Sequence, residues 1–176
     1  MKLGKIASLF KKNKRIILYT AADGTQWISN GVAIYSMRGM PPLTPEIVLR
    51  FFDVPADQLA KWQCETEDLP AGIDFSDFVE NDKELELMKV NIDWYGETFM
   101  FFPDGKEIYS IQAAYVMPMI GGDYITYQKR KMAGGGHVIA VKDGLELMAI
   151  ICPYDLGKSD VFVEEVDKLA ALYSRN

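Results

Sequence analysis

The chain reads as an α+β protein built from antiparallel β-hairpins and a meander, with a few flanking helices. Three observations lead there. Asp23-Gly24, Asp104-Gly105 and Asp143-Gly144 each lie between two apolar runs, and Asp-Gly in that setting signals a tight hairpin because glycine supplies the positive φ the turn needs. Nine Phe, nine Tyr and three Trp cluster in the apolar runs, where aromatic side chains suit a half-buried pleated surface. The second half breaks into apolar segments separated by short glycine-containing gaps, which favours an antiparallel meander over parallel crossovers. Residues 103–108 and 142–147 also resemble each other, and each leads into an apolar run that meets a proline, Pro118 or Pro153. This pattern suggests a repeated unit.

Taken in order, residues 2–12 place Leu3, Ile6, Ala7 and Phe10 on one side of a short helix with lysines on the other. Residues 15–21 and 25–35 form strands around Asp23-Gly24, and Asn30-Gly31 marks a bulge or a further turn. Thr44-Pro45-Glu46 starts a helix, with threonine as N-cap, proline at the first position and an acid in the first turn. That helix would gather Ile47, Val48, Phe51 and Phe52 on one face before Pro55, and residues 57–62 add a turn or two. Residues 64–83 are acidic and hold Pro70 and Gly72, which reads as a solvated connection. Strands are expected at 84–93, 97–102, 106–117, 123–131, 137–142 and 145–152, with Gly134-Gly135-Gly136 as a hairpin tip. A last helix, capped by Ser159 or Asp160, would run to about residue 173 with Val163, Val166, Leu169, Ala170 and Leu172 as its apolar stripe.

The length of 176 residues suits one domain, or two halves, 1–63 and 84–176, joined by the acidic connection. No apolar stretch approaches the roughly 20 residues that cross a bilayer. Two cysteines are too few for a disulfide framework, so a reducing cytoplasm is the expected location, with a single Cys64–Cys152 bridge left open. Net charge is −6, yet the first fifteen residues hold Lys2, Lys5, Lys11, Lys12, Lys14 and Arg15 with no acid, leaving thirteen basic against twenty-five acidic residues in the remainder. A basic arm on an acidic body can steer toward phosphate, an acidic lipid surface or another copy's acidic face, or simply be a solvated helix face.

The usual signatures of chemistry are missing. One histidine and two distant cysteines give no imidazole-rich or thiolate-rich metal site, and no metal or cofactor is expected. His137 follows three glycines at a strand start, a structural or solvent-facing position, and no Gly-x-Ser-x-Gly elbow accompanies it. Cys152 in its apolar run reads as a packing residue. Gly157-Lys158-Ser159 has the ending of a phosphate-binding loop, but Cys152 stands where the loop's first glycine belongs. Asp74 and Asp77 lie in a polar stretch that would leave their pKa values ordinary. No catalytic residue is assigned.

The hairpin from Gly136 to Leu156 resembles the closing hairpin of DNA sliding-clamp domains, the polymerase processivity factors, in which an apolar strand, a proline and a short segment ending in leucine lie beside a peptide-binding pocket. Pro153 and Leu156 match that pattern, whereas Asp155 replaces a basic residue and twenty residues follow Leu156. Ala22-Asp23-Gly24 leading to Trp27 is similar to a clamp turn in which threonine precedes Asp-Gly. The resemblance implies helices on one side of curved antiparallel sheets, a homo-oligomeric ring, and contact with the backbone of double-stranded DNA without sequence readout. Candidate phosphate contacts are Lys11, Lys12, Lys14 and Arg15, with the run Lys129-Arg130-Lys131, and candidate pocket residues are Pro153 and Leu156. The expected function is a non-enzymatic, clamp-like binding module. Two alternatives stay open: an interaction or accessory protein with no nucleic-acid role, and an enzyme with an unrecognised site.

Overall fold

A computed structural model describes residues 1–105 and 107–154, together with Glu164, Val166, Lys168 and Ala171. Helix α1 (Leu3–Asn13) leads into strands β1 (Arg15–Thr20), β2 (Gln26–Ser29) and β3 (Ala33–Ser36). Helix α2 (Pro45–Phe51) and a 3-10 turn (Ala56–Lys61) then return the chain to β4 (Gln63–Asp68). Strands β5 (Lys83–Leu85), β6 (Ile92–Trp94), β7 (Glu97–Asp104) and β8 (Glu107–Gln112) follow. The short helix α3 (Ala113–Val116) precedes β9 (Ile125–Lys131), β10 (His137–Asp143) and β11 (Glu146–Ile151).

All three Asp-Gly pairs close hairpins. They join β1 to β2, β7 to β8 and β10 to β11, with Gly24, Gly105 and Gly144 at φ +86°, +65° and +59°. The strands form an eight-stranded sheet in the order β4-β1-β2-β3-β11-β10-β9-β5 and a three-stranded sheet β6-β7-β8.

The larger sheet contains a repeat, though a different one from that suggested by residues 103–108 and 142–147. Helix α1 followed by β1-β2-β3 and helix α3 followed by β9-β10-β11 are the same unit, a helix and a three-stranded meander. Their last strands pair antiparallel, Ala149 opposite Tyr35 and Ile151 opposite Ala33, so the central order reads alike from either end. Matching turns in the two units are Asn30-Gly31 and Asp143-Gly144, which share little sequence beyond the glycine. The segments at 103–108 and 142–147 resemble each other because each enters the return strand of a hairpin.

Strand alternation gives the large sheet two apolar faces. On one, Ile16, Leu18, Ile28, Tyr35, Ile139, Val141 and Ile151 pack against Ile6 and Phe10 of α1, Val48 of α2 and Phe52 at its C-terminal end, Val116 of α3, and Met100 and Phe102 of β7. The helices share this face. On the other, Ile17, Tyr19, Trp27, Ile34, Val138, Ala140 and Ile150 are covered by Leu69, Ile73 and Phe75, and Phe75 meets Trp27 edge-on with centroids 5.0 Å apart.

Several expectations need correction. Residues 64–83 are more than a solvated connection: Gln63–Asp68 is an edge strand parallel to β1, with Arg15 opposite Gln63 and Thr20 opposite Asp68. It lacks apolar alternation because both of its faces are largely exposed. Residues 69–82 then form a strap across the second face. The expected strand at 84–93 divides into β5 and β6, and that at 106–117 turns helical after Gln112. On α2, Thr44 caps as expected by accepting from Ile47 N, but Ile47 and Phe51 face solvent while Val48 and Phe52 are buried. Cys152 is exposed and Cys64 half-buried, both as free thiols. The final-helix expectation lies largely outside the described residues, of which Glu164, Val166, Lys168 and Ala171 are helical and Val166 packs with Met88, Phe99 and Phe101.

Candidate nucleic-acid interface

The outer side of α1 is basic because its inner side is committed to the core: Ile6, Ala7 and Phe10 are buried, which turns Lys5, Ser8, Lys11 and Lys12 outward. Lys11 and Lys12 occupy the last turn, where cations complement the helix dipole. Lys14 ends the helix in the left-handed conformation at φ 54°, its N–H donating to Phe10 O at 2.7 Å.

The candidates differ in what they offer a phosphate. Lys11 is exposed. Lys12 donates to Glu97, which raises its pKa above the ordinary value. Lys14 is half-buried, and Arg15 bonds Glu65 at 3.3 Å while its Nε is buried without a partner among the described residues.

The run 129–131 is split by strand alternation. Lys129 points toward the three-stranded sheet, donating to Asp104 at 2.8 Å and Glu107 at 3.3 Å above the Tyr109 ring. Burial opposes its charge, and these bonds outweigh that penalty, so its pKa rises. Arg130 points to the opposite face and is fully buried. It donates to Asp82 at 2.6 Å and to the carbonyls of Asp74 and Ser76, and is thereby withdrawn from any surface. Lys131 is exposed beside an open cleft that includes Ala71, Asp82 and Met132. Lys2 and Lys5 are exposed on the arm and belong with Lys11. Their spacing from the buried Ile6 and Phe10 was the signal that could have selected them.

Pro153 lies in a cleft of about 310 Å³ with Gly31, Val32, Gln112, Tyr115, Cys152 and Tyr154. Cys152 N donates to Val32 O and Tyr154 N to Ser110 O, so the chain leaving β11 is stitched to the β2–β3 turn and to β8 of the smaller sheet. Leu156 lies outside the described residues.

Asp74 and Asp77, expected to keep ordinary pKa values, are instead held by hydrogen bonds. Asp74 accepts from Ser76 N and hydroxyl, which lowers its pKa. Burial raises the Asp77 carboxyl, but bonds from Leu147 N at 2.8 Å and from Arg38 outweigh it, so its pKa falls below the ordinary value. His137 is half-buried against the Tyr109 ring at 6.0 Å. No group of three metal-ligating side chains occurs among the described residues, and no helix among them is long and apolar enough to cross a membrane. No protein-family model, curated protein or solved structure matches the chain.

Proposed function

We propose that this chain is a non-enzymatic binding module of sliding-clamp-like build, whose α1 surface meets the backbone of double-stranded DNA. One observation carries the reading: a helix-plus-meander unit occurs twice in one sheet, with its helices on a single face and the outward side of α1 lined by lysines. Such a surface contacts phosphates without reading bases. The contacts are Lys5 and Lys11, with Lys2 beside them, because Lys12 and Arg15 already face carboxylates. One chain of this size cannot encircle a duplex, so clamp action requires several copies.

The test is fluorescence anisotropy on a labelled duplex across a salt series. Each phosphate contact contributes about 0.9 to the slope of log affinity against log salt. Replacing Lys5 and Lys11 with alanine should therefore weaken binding and lower that slope by about 2, while Lys129→Ala leaves the slope unchanged. Absence of binding by the parent at low salt refutes the reading.

A further inference from the structure

Strand β4 is a long open edge of the larger sheet. It stands last in the strand order and pairs with β1 alone. Of its six residues, five are exposed and Cys64 is half-buried. Gln63 N donates to Lys14 O at 2.9 Å, so Gln63 faces β1, and alternation turns the N–H and C=O of Cys64, Thr66 and Asp68 to the open side. No backbone group among the described residues meets them there. Sheets commonly guard such an edge with lysine, proline, a bulge or a covering loop. Strand β4 holds no lysine and no proline, and its pairing with β1 runs without a register shift, whereas that of β10 with β11 shifts between Val141 and Lys142. At the opposite end of the sheet, β5 offers only three residues.

Carboxylates bracket this edge on both faces. Glu65 and Glu67 lie opposite Ile17 and Tyr19, which places them on the strap side. Cys64 lies opposite Ile16 on the helix side, where burial and then the Glu46 carboxylate of α2 raise its thiol pKa. Arg15 bonds Glu65 at 3.3 Å, while Glu67 and Asp68 remain exposed.

We propose that β4 receives an extended basic segment of a partner protein, which joins the eight-stranded sheet as a further strand and sets lysine or arginine beside Glu65 and Glu67. The backbone groups supply affinity and the acids select the sequence. Opposite charges on neighbouring strands attract, whereas a second β4 would bring glutamate beside glutamate. The chain's own basic segments are committed elsewhere: α1 is a helix with one side in the core, and Lys129, Arg130 and Lys131 already lie in the sheet between β10 and β5. The inference concerns a protein partner and does not depend on the DNA reading.

Fluorescence anisotropy of a labelled peptide of about eight residues, alternating lysine and valine, tests it at low salt without DNA. The parent should bind, and amide exchange should slow at Cys64, Thr66 and Asp68 in the complex. Thr66→Pro removes an outward N–H and no bond to β1, and should weaken binding about tenfold. Glu65→Lys with Glu67→Lys should weaken it by about as much and should bind a glutamate-valine peptide instead. Urea midpoints near that of the parent show that the variants fold; where Thr66→Pro lowers the midpoint, the charge exchange decides. No binding by the parent, equal binding of a peptide whose valines are replaced by proline, or indifference to both variants overturns the inference. Self-association of the parent that Thr66→Pro abolishes seats a second copy on the edge and also overturns it.

Discussion

Removing the Asp82 carboxylate should be among the most damaging single changes in the chain. Arg130 is fully buried, and Asp82 meets it through Nη2 at 2.6 Å and through Nε at 3.0 Å. The side chains are 0% and 4% exposed, so little solvent reaches the pair in the native fold. Breaking a buried pair from one side leaves an uncompensated charge and costs about 3–5 kcal/mol. With a urea slope of about 2 kcal/mol/M, typical of a small protein, Asp82→Ala should move the unfolding midpoint down by about 1.5–2.5 M. The double variant Arg130→Met with Asp82→Leu removes both charges and should cost less, about 1–2 kcal/mol for the lost bonds to Asp74 O and Ser76 O. Urea unfolding followed by tryptophan fluorescence is a suitable assay, because Trp27 lies under the strap against Phe75. A cost below about 1 kcal/mol for Asp82→Ala, or a double variant as damaged as the single one, refutes the reasoning.

Gly144→Val places a β-branched residue at φ +59° in open space, so its cost of about 1–3 kcal/mol in urea unfolding is conformational. Gly122→Ala fails for a different reason: its Cβ would lie 2.4 Å from Asp143 Oδ2 and 2.8 Å from Ile125 Cδ1, and Asp143→Ala should relieve part of the loss. Hydrogen bonds from Lys129 and then Lys83 hold the Asp104 carboxyl below the ordinary aspartate value. A depressed native pKa stabilises the fold above the unfolded value and loses that contribution as pH falls through the native one. Unfolding free energy should therefore decline from about pH 4 downward, and Asp104→Asn should flatten that decline; an unchanged acid limb in the variant counts against the cluster.

Local chemistry was enough to place much of the secondary structure. Glycine at positive φ fixed the three Asp-Gly turns, a Thr-Pro-Glu start fixed α2, and apolar spacing fixed the buried side of α1, because each depends on neighbours within a few residues. Long-range partners were another matter. The parallel pairing of β4 was hidden because an exposed edge strand needs no apolar pattern, and its acids looked like a linker. The doubled helix-plus-meander unit was equally hidden, since a repeat held by backbone pairing and core burial does not require matching residues in its turns.

The same division governs the surface. From the sequence alone came the α+β class, the hairpins and a basic arm on an acidic body. Only the tertiary structure decided which charges face outward: alternation along β9 sends Lys129 to Asp104 and buries Arg130 on Asp82, while helical packing leaves Lys5 and Lys11 exposed. A charge becomes available for binding through what it fails to meet in the fold, and those meetings span sequence separations of 25 and 48 residues that no local pattern records.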